Sequence, residues 1–164
     1  MNQSSINRQT VSGFIFLFIL LIAAVLWIMQ QRTVIKNYVI GNTRIRLEVT
    51  QTAEDRTRGL GGRDTVGKAD GLLFVFPETD RHGIWMKDMR FDIDIVWVGD
   101  GKIVDIAPNV PYVVKESFPA RQTTQELPIY YPRLDANMVI EFPAGFVAAH
   151  GWKIGDTVAA AVRP

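Results

Sequence analysis

The chain contains no cysteine, which excludes disulfides, thiolate metal sites and a cysteine nucleophile and leaves the redox compartment open. Histidine is almost as scarce. The 2 present, His82 and His150, stand far apart and form no His-x-x-x-His pair, so they read as surface or capping groups rather than zinc ligands. An excess of one charge is also missing, since 18 basic side chains balance 17 acidic ones in 164 residues. That balance gives no broad basic field and argues against a nucleic-acid partner. Glycines cluster between Gly59 and Gly67, but no lysine followed by serine or threonine stands where a phosphate-binding P-loop needs it. There is no internal repeat and no low-complexity segment. No catalytic residue, metal ligand or cofactor is assigned.

The length accommodates one domain and an appendage. After a tail over residues 1–12, Gly13 to Met29 (GFIFLFILLIAAVLWIM) carries no charge and is close to the ~20 residues that cross a bilayer as a helix. A cleaved signal peptide is the alternative. Ile22 stands three places before the bond at Val25, where a small residue is required, so the run reads as an uncleaved single-pass transmembrane helix in the cell membrane. Arg8 lies on one side of it, and Arg32 and Lys36 on the other with Arg44 and Arg46 beyond. That distribution leans toward a cytoplasmic domain. A linker over 30–36 then leads to a folded domain over 37–164.

That domain reads as mainly β: a compact antiparallel sandwich or barrel with one or two short helices. Gly41-Asn42 closes a hairpin between Tyr38–Ile40 and Thr43–Thr50. Thr52 and Asp55 form a capping box for a short helix that Gly59 ends. Gly71 to Phe76 is a continuous apolar run closed by Pro77, which suits a buried strand. A charged connection follows, and from Phe91 the chain alternates. Phe91, Ile93, Ile95 and Trp97 take one face; Asp92, Asp94, Val96 and Val98 take the other. The run Gly71–Val98 therefore reads as a hairpin whose acids sit at an edge or opening. Asp100-Gly101 turns into Lys102–Ala107, prolines punctuate 108–132, and Ala136–Phe142 is a further strand. Pro143 opens a short helix that Gly151 ends, and Thr157–Val162 is the last strand.

Several of these residues resemble the bacterial and archaeal family known as domain of unknown function 192. They are Arg58-Gly59-Leu60 with Arg63, Gly71-Leu-Leu-Phe-Val-Phe, Trp85-Met86-Lys87-Asp88-Met89, Phe91-Asp92-Ile93-Asp94-Ile95 and Glu141-Phe-Pro-Ala-Gly145. The resemblance spans about Ile45 to Val162. It implies a mainly β domain, often secreted or membrane-tethered, and on that ground an extracytoplasmic location. Gly61, Asp88 and Asp92 depart from the family pattern.

Three functions fit this reading. The first is a non-catalytic binding module for a cell-envelope glycan or peptide, in which Trp85 supplies a flat apolar face and Arg63, Lys87, Asp88, Asp94 and Glu141 supply polar groups. Trp97 reads as core, and Trp152 as core or surface. The second is an enzyme using Asp92, Asp94 or Glu141 as acid and base or as ligands of a hard cation. Asp92 and Asp94 share a strand face about 7 Å apart, although acids on such a face are usually solvated. The third is a structural role in docking an envelope protein through the proline-rich stretch, with Val113, Val114 and Tyr130 exposed.

Overall fold

The computed structural model describes residues 13–22, 33–113 and 127–161. It divides into two compact units, Met1–Thr33 and Val34–Pro164. In the first, α1 (residues 13–22) is helical, and all its side chains are exposed. No helix among the described residues is long and apolar enough to cross a membrane. The remainder of the expected span, residues 23–29, lies outside the described residues.

The second unit begins directly with β1 (Val34–Ile40), inside the range read as linker. Gly41 at φ 56 turns it into β2 (Thr43–Val49), with Ile40 opposite Thr43. Thr52 caps α2 (Ala53–Arg58) through the expected capping box. The chain then enters β3 (Gly71–Asp80), which runs on past Pro77. β3 pairs with β2 in parallel, Leu47 opposite Gly71. The domain is therefore not all antiparallel. A parallel pair needs a long crossover, and residues 50–70, which include α2, supply it.

β4 (Ile84–Trp85) is a short strand paired with β7 (Ile129–Tyr130) outside the main sheet. β5 (Ile93–Gly99) and β6 (Lys102–Val110) form a hairpin at Asp100-Gly101, both at positive φ. β8 (Ala136–Pro143) follows, then α3 (Phe146–His150) and β9 (Val158–Ala160). Pro143 closes β8 rather than opening α3, which starts after the left-handed Gly145.

The seven-stranded sheet has the order β6-β5-β8-β3-β2-β1-β9. β3 and β5 are thus not hairpin partners, because β8 lies between them and pairs with both. A bridge between Lys102 and Thr157 joins the two edges at one end, reinforced by the Val158 amide donating to the Gly101 carbonyl at 2.8 Å. The sheet is curled like a half-barrel and is not a sandwich. Its inner face holds Ile40, Leu47, Leu73, Val96, Ile140 and Phe142, capped by Val147 and Trp152. Its outer face holds Leu72, Phe74, Ile95, Trp97 and Val139, covered by Leu60, Val66, Met86 and Met89 from the connecting loops. Burying both faces explains why β5 is buried at every position. The outer cover is the part of the fold that builds the site.

Candidate functional site

Register decides where the acidic residues point. Leu72, Glu141 and Ile95 stand abreast on β3, β8 and β5, while Asp94 stands opposite Phe142 one row along. Leu72 and Ile95 belong to the outer core and Phe142 to the inner one. Side chains directly opposite each other share a face, and successive residues alternate. Glu141 and Asp94 therefore lie on opposite faces of the sheet. They cannot act on one substrate atom together.

Asp94 is fully buried (0% exposed) and spends its carboxylate on the fold. It accepts from the backbone amides of Asn109 (2.8 Å), Gly145 (3.1 Å) and Val147 (2.9 Å). The cap residue of α3 is Gly145, which has no side chain to cap with, so Asp94 satisfies the first amides of that helix from a neighbouring strand. Asp92 is exposed and accepts from the Tyr112 amide at 2.9 Å. Placement of these acids at an opening holds for Asp92 and not for Asp94.

Glu141 is the unusual group. It is 4% exposed, set between Leu72 and Ile95 under the loop after α2. The Leu60 amide donates to it and Arg63 attracts it, yet burial dominates and raises its pKa to about 8. One carboxyl oxygen, Oε2, has no hydrogen-bond partner among the described residues. A carboxyl so placed stays protonated at neutral pH, because desolvation penalises the charged form. Gly59, at φ 54, lets the loop close over it, since a Cβ there would come within 3.3 Å of both Oε2 and the Phe74 ring. Arg63 makes no hydrogen bond with Glu141. Its guanidinium grips Glu48 through two bonds of 2.8 and 2.7 Å, a lateral tie between loop and β2.

Above that loop lies a recess of about 890 Å3, walled by α2 (Ala53, Thr57, Arg58), by Gly61 and Gly62, and by Lys87 to Arg90. Gly61 belongs there for a steric reason, because a Cβ would stand 2.9 Å from the carbonyl oxygens of Arg58 and Lys87. Asp88 takes a positive φ of 55 at the turn whose carbonyl receives the Gly62 amide at 2.8 Å. A second recess of about 480 Å3 lies beyond, lined by Arg56, Phe76, Gly83, Trp85, Ile129 and Tyr131 among others. Ala53 and Thr57 line both.

Trp85 lines the smaller recess and bonds to Thr57 at the border. It is 41% exposed, its indole N–H donates to the Thr57 carbonyl at 3.3 Å, and Lys87 Nζ lies 5.2 Å from its ring. Ile129 and Tyr131 beside it are 49% and 60% exposed. Trp97 and Trp152, by contrast, are buried in the outer and inner cores. Of the six residues expected to bind, Trp85, Lys87 and Asp88 line these recesses, Arg63 and Glu141 belong to the loop and the layer beneath it, and Asp94 is remote. Arg58, Tyr131 and the floor at Gly61-Gly62 were not foreseen as site residues. The Arg58-Gly59-Leu60 pattern and the glycine cluster after it carried the signal for Arg58 and the floor, and nothing in the sequence pointed to Tyr131. Among the described residues, no group of three or more acidic or histidine side chains could hold a metal ion.

Fold and site together define a curled, mainly β domain with an aromatic, partly basic surface recess. Over residues 25–160 the chain matches the DUF192 family, described as an uncharacterized ACR, and it belongs to that family. No curated protein matches it. Among solved structures it is similar to a Sinorhizobium meliloti 1021 protein described provisionally as a transcription regulator. The TM-score is 0.66 at 22% identity, covering 78% of this chain and 95% of that one. It is also similar to a protein of unknown function from Novosphingobium aromaticivorans DSM 12444, with TM-score 0.62 at 25% identity over 76% of this chain and 84% of that one.

Proposed function

We propose that the chain is a membrane-anchored, non-catalytic binding domain that holds a cell-envelope glycan or peptide against Trp85. The observation that carries this reading is the half-exposed indole of Trp85 in the wall of the smaller recess, with Tyr131 and Ile129 extending the apolar surface beside it. A ring presented this way stacks on a sugar face or a peptide side chain, and polar groups at the rim set orientation. The acids that acid–base chemistry would use support binding over catalysis: Asp94 is consumed by backbone amides, and Glu141 faces the other side of the sheet. The anchor rests on the uncharged Gly13–Met29 run and on α1, whose apolar side chains are all exposed. The extracytoplasmic side is favoured by the tethering habit that the family resemblance implies.

The test is calorimetric titration of the full chain in a mild detergent with a panel of envelope glycans and peptides. A saturable heat that Trp85→Ala weakens by about tenfold, the loss of a stacking contact of roughly 1.4 kcal/mol, supports the reading. No saturable heat across the panel overturns it. Resistance of the chain to extraction from membranes by alkaline carbonate tests the anchor separately.

A further inference from the structure

The larger recess carries a charge pattern that the reading above does not specify. Its wall holds three cations, Arg58, Lys87 and Arg90, and two acids, Glu54 and Asp88. Arg90 is paired with Asp64 at 2.9 Å, and Asp88 is engaged in an interaction of its own. The Arg58 guanidinium has no hydrogen bond or ion pair among the described residues. It stands one helical turn after Glu54, the spacing at which such pairs form, and still does not close on it. Among the described residues Lys87 meets the Trp85 ring, at 5.2 Å, which steadies its stem beside the recess without neutralising its charge. Two uncommitted cations thus face one uncommitted acid across a concave surface floored by the backbone of Gly61 and Gly62. Beneath that floor the carboxyl of Glu141 is held neutral by burial, so it adds no opposing negative potential.

We infer that the recess between α2, Gly61-Gly62 and Lys87–Arg90 is an anion-binding subsite that takes a carboxylate or phosphate group of the ligand through Arg58 and Lys87. Guanidinium gives a two-pronged, planar contact to such a group and ammonium a point charge, so the pair suits an oxyanion better than a neutral hydroxyl. Glu54 at the rim opposes the same ligand. Its removal therefore strengthens binding.

The probes are inorganic phosphate and galacturonate, each titrated at matched ionic strength into the full chain in detergent while backbone amide and Arg Nε resonances are followed by NMR. The expected result is saturable movement of Gly61, Gly62 and Lys87 amides and of Arg58 Nε with at least one probe. Arg58→Gln with Lys87→Gln should weaken it about tenfold or more, and Glu54→Gln should tighten it about two- to fivefold. Tighter phosphate identifies a phosphate-bearing ligand, tighter galacturonate a carboxylate-bearing one. Shifts that never saturate, or that survive unchanged in the double variant with native dispersion elsewhere, overturn the inference. Binding of a neutral glycan that ignores both substitutions overturns it too, while leaving the Trp85 reading standing.

Discussion

Replacing Glu141 with glutamine tests the buried carboxyl directly. The unfolded chain releases this proton near 4.5 and the folded domain near 8, because Leu72, Ile95, Phe74 and the Gly59-Leu60 loop exclude the water that would solvate the charge. The sign follows from linkage. Below about pH 4.5 both states hold the proton and the site contributes no pH dependence. Between about 4.5 and 8 folding must take a proton up, so stability falls as pH rises, and above 8 it levels off. A gap of about 3.5 units at roughly 1.36 kcal/mol each is on the order of 5 kcal/mol, comparable with the whole stability of a modest domain. Leu60 can donate equally to the glutamine carbonyl, and the partnerless Oε2 becomes a partnerless amide nitrogen. The variant thus keeps the shape and loses the titration. Urea unfolding measured at each pH from 4 to 9 should show the wild type losing several kcal/mol across this window and the Gln variant losing much less. The two should meet near pH 4. Parallel curves for the two proteins would refute the buried neutral acid. Asp70 and Asp105 do not confuse the result, since the bonds each makes with Arg46 or Arg133 outweigh burial and lower its pKa, placing its loss of stability below about pH 4.

Other outcomes follow from the same contacts. Asp94→Ala strands three amide donors, that of Val147 buried and those of Asn109 and Gly145 part-buried, at roughly 1–3 kcal/mol for a buried one left unsatisfied and less where water reaches, so denaturant unfolding should show a loss of about 2–4 kcal/mol; a loss below about 1 kcal/mol contradicts the capping role. Gly71→Ala drives a methyl to within 2.8 Å of the Phe142 ring and the Glu141 carbonyl, which should lower stability by about 1–3 kcal/mol, read as a reduced melting temperature. Trp85→Ala removes a half-exposed ring and should change stability by less than about 1 kcal/mol while weakening ligand binding about tenfold. A large stability loss would mark Trp85 as structural.

How much of this was legible depended on whether the cause was local. Gly41-Asn42, the Thr52/Asp55 capping box and Asp100-Gly101 each fix a turn or cap with their own atoms, and all appear as expected. The two-residue period of β5 correctly separated Trp97 from Val96. Strand order was not legible, because the insertion of β8 between β3 and β5 is a long-range pairing that neither strand encodes. The parallel β2–β3 pair was hidden likewise. Asp94 looked like a rim acid since its donors, Asn109, Gly145 and Val147, come from 15, 51 and 53 residues away. Arg63, read from the sequence as a binding group, pairs with Glu48 15 residues earlier, a partner that no local pattern names. Glu141 was singled out by the family resemblance. Its neutrality comes from a loop over 80 residues upstream folding across it, which no local pattern announces.

The central claim is that ligand is held at Trp85, and the indole N–H resonances of the four tryptophans test it in one spectrum. Trp97 donates to the His82 carbonyl at 2.8 Å, and the buried Trp152 indole nitrogen has no hydrogen-bond partner among the described residues, so both serve as internal references. On adding a ligand found by calorimetry, the Trp85 signal should move and saturate while those of Trp97 and Trp152 stay in place. Saturation of the Trp97 or Trp152 signal with Trp85 unmoved would contradict the account.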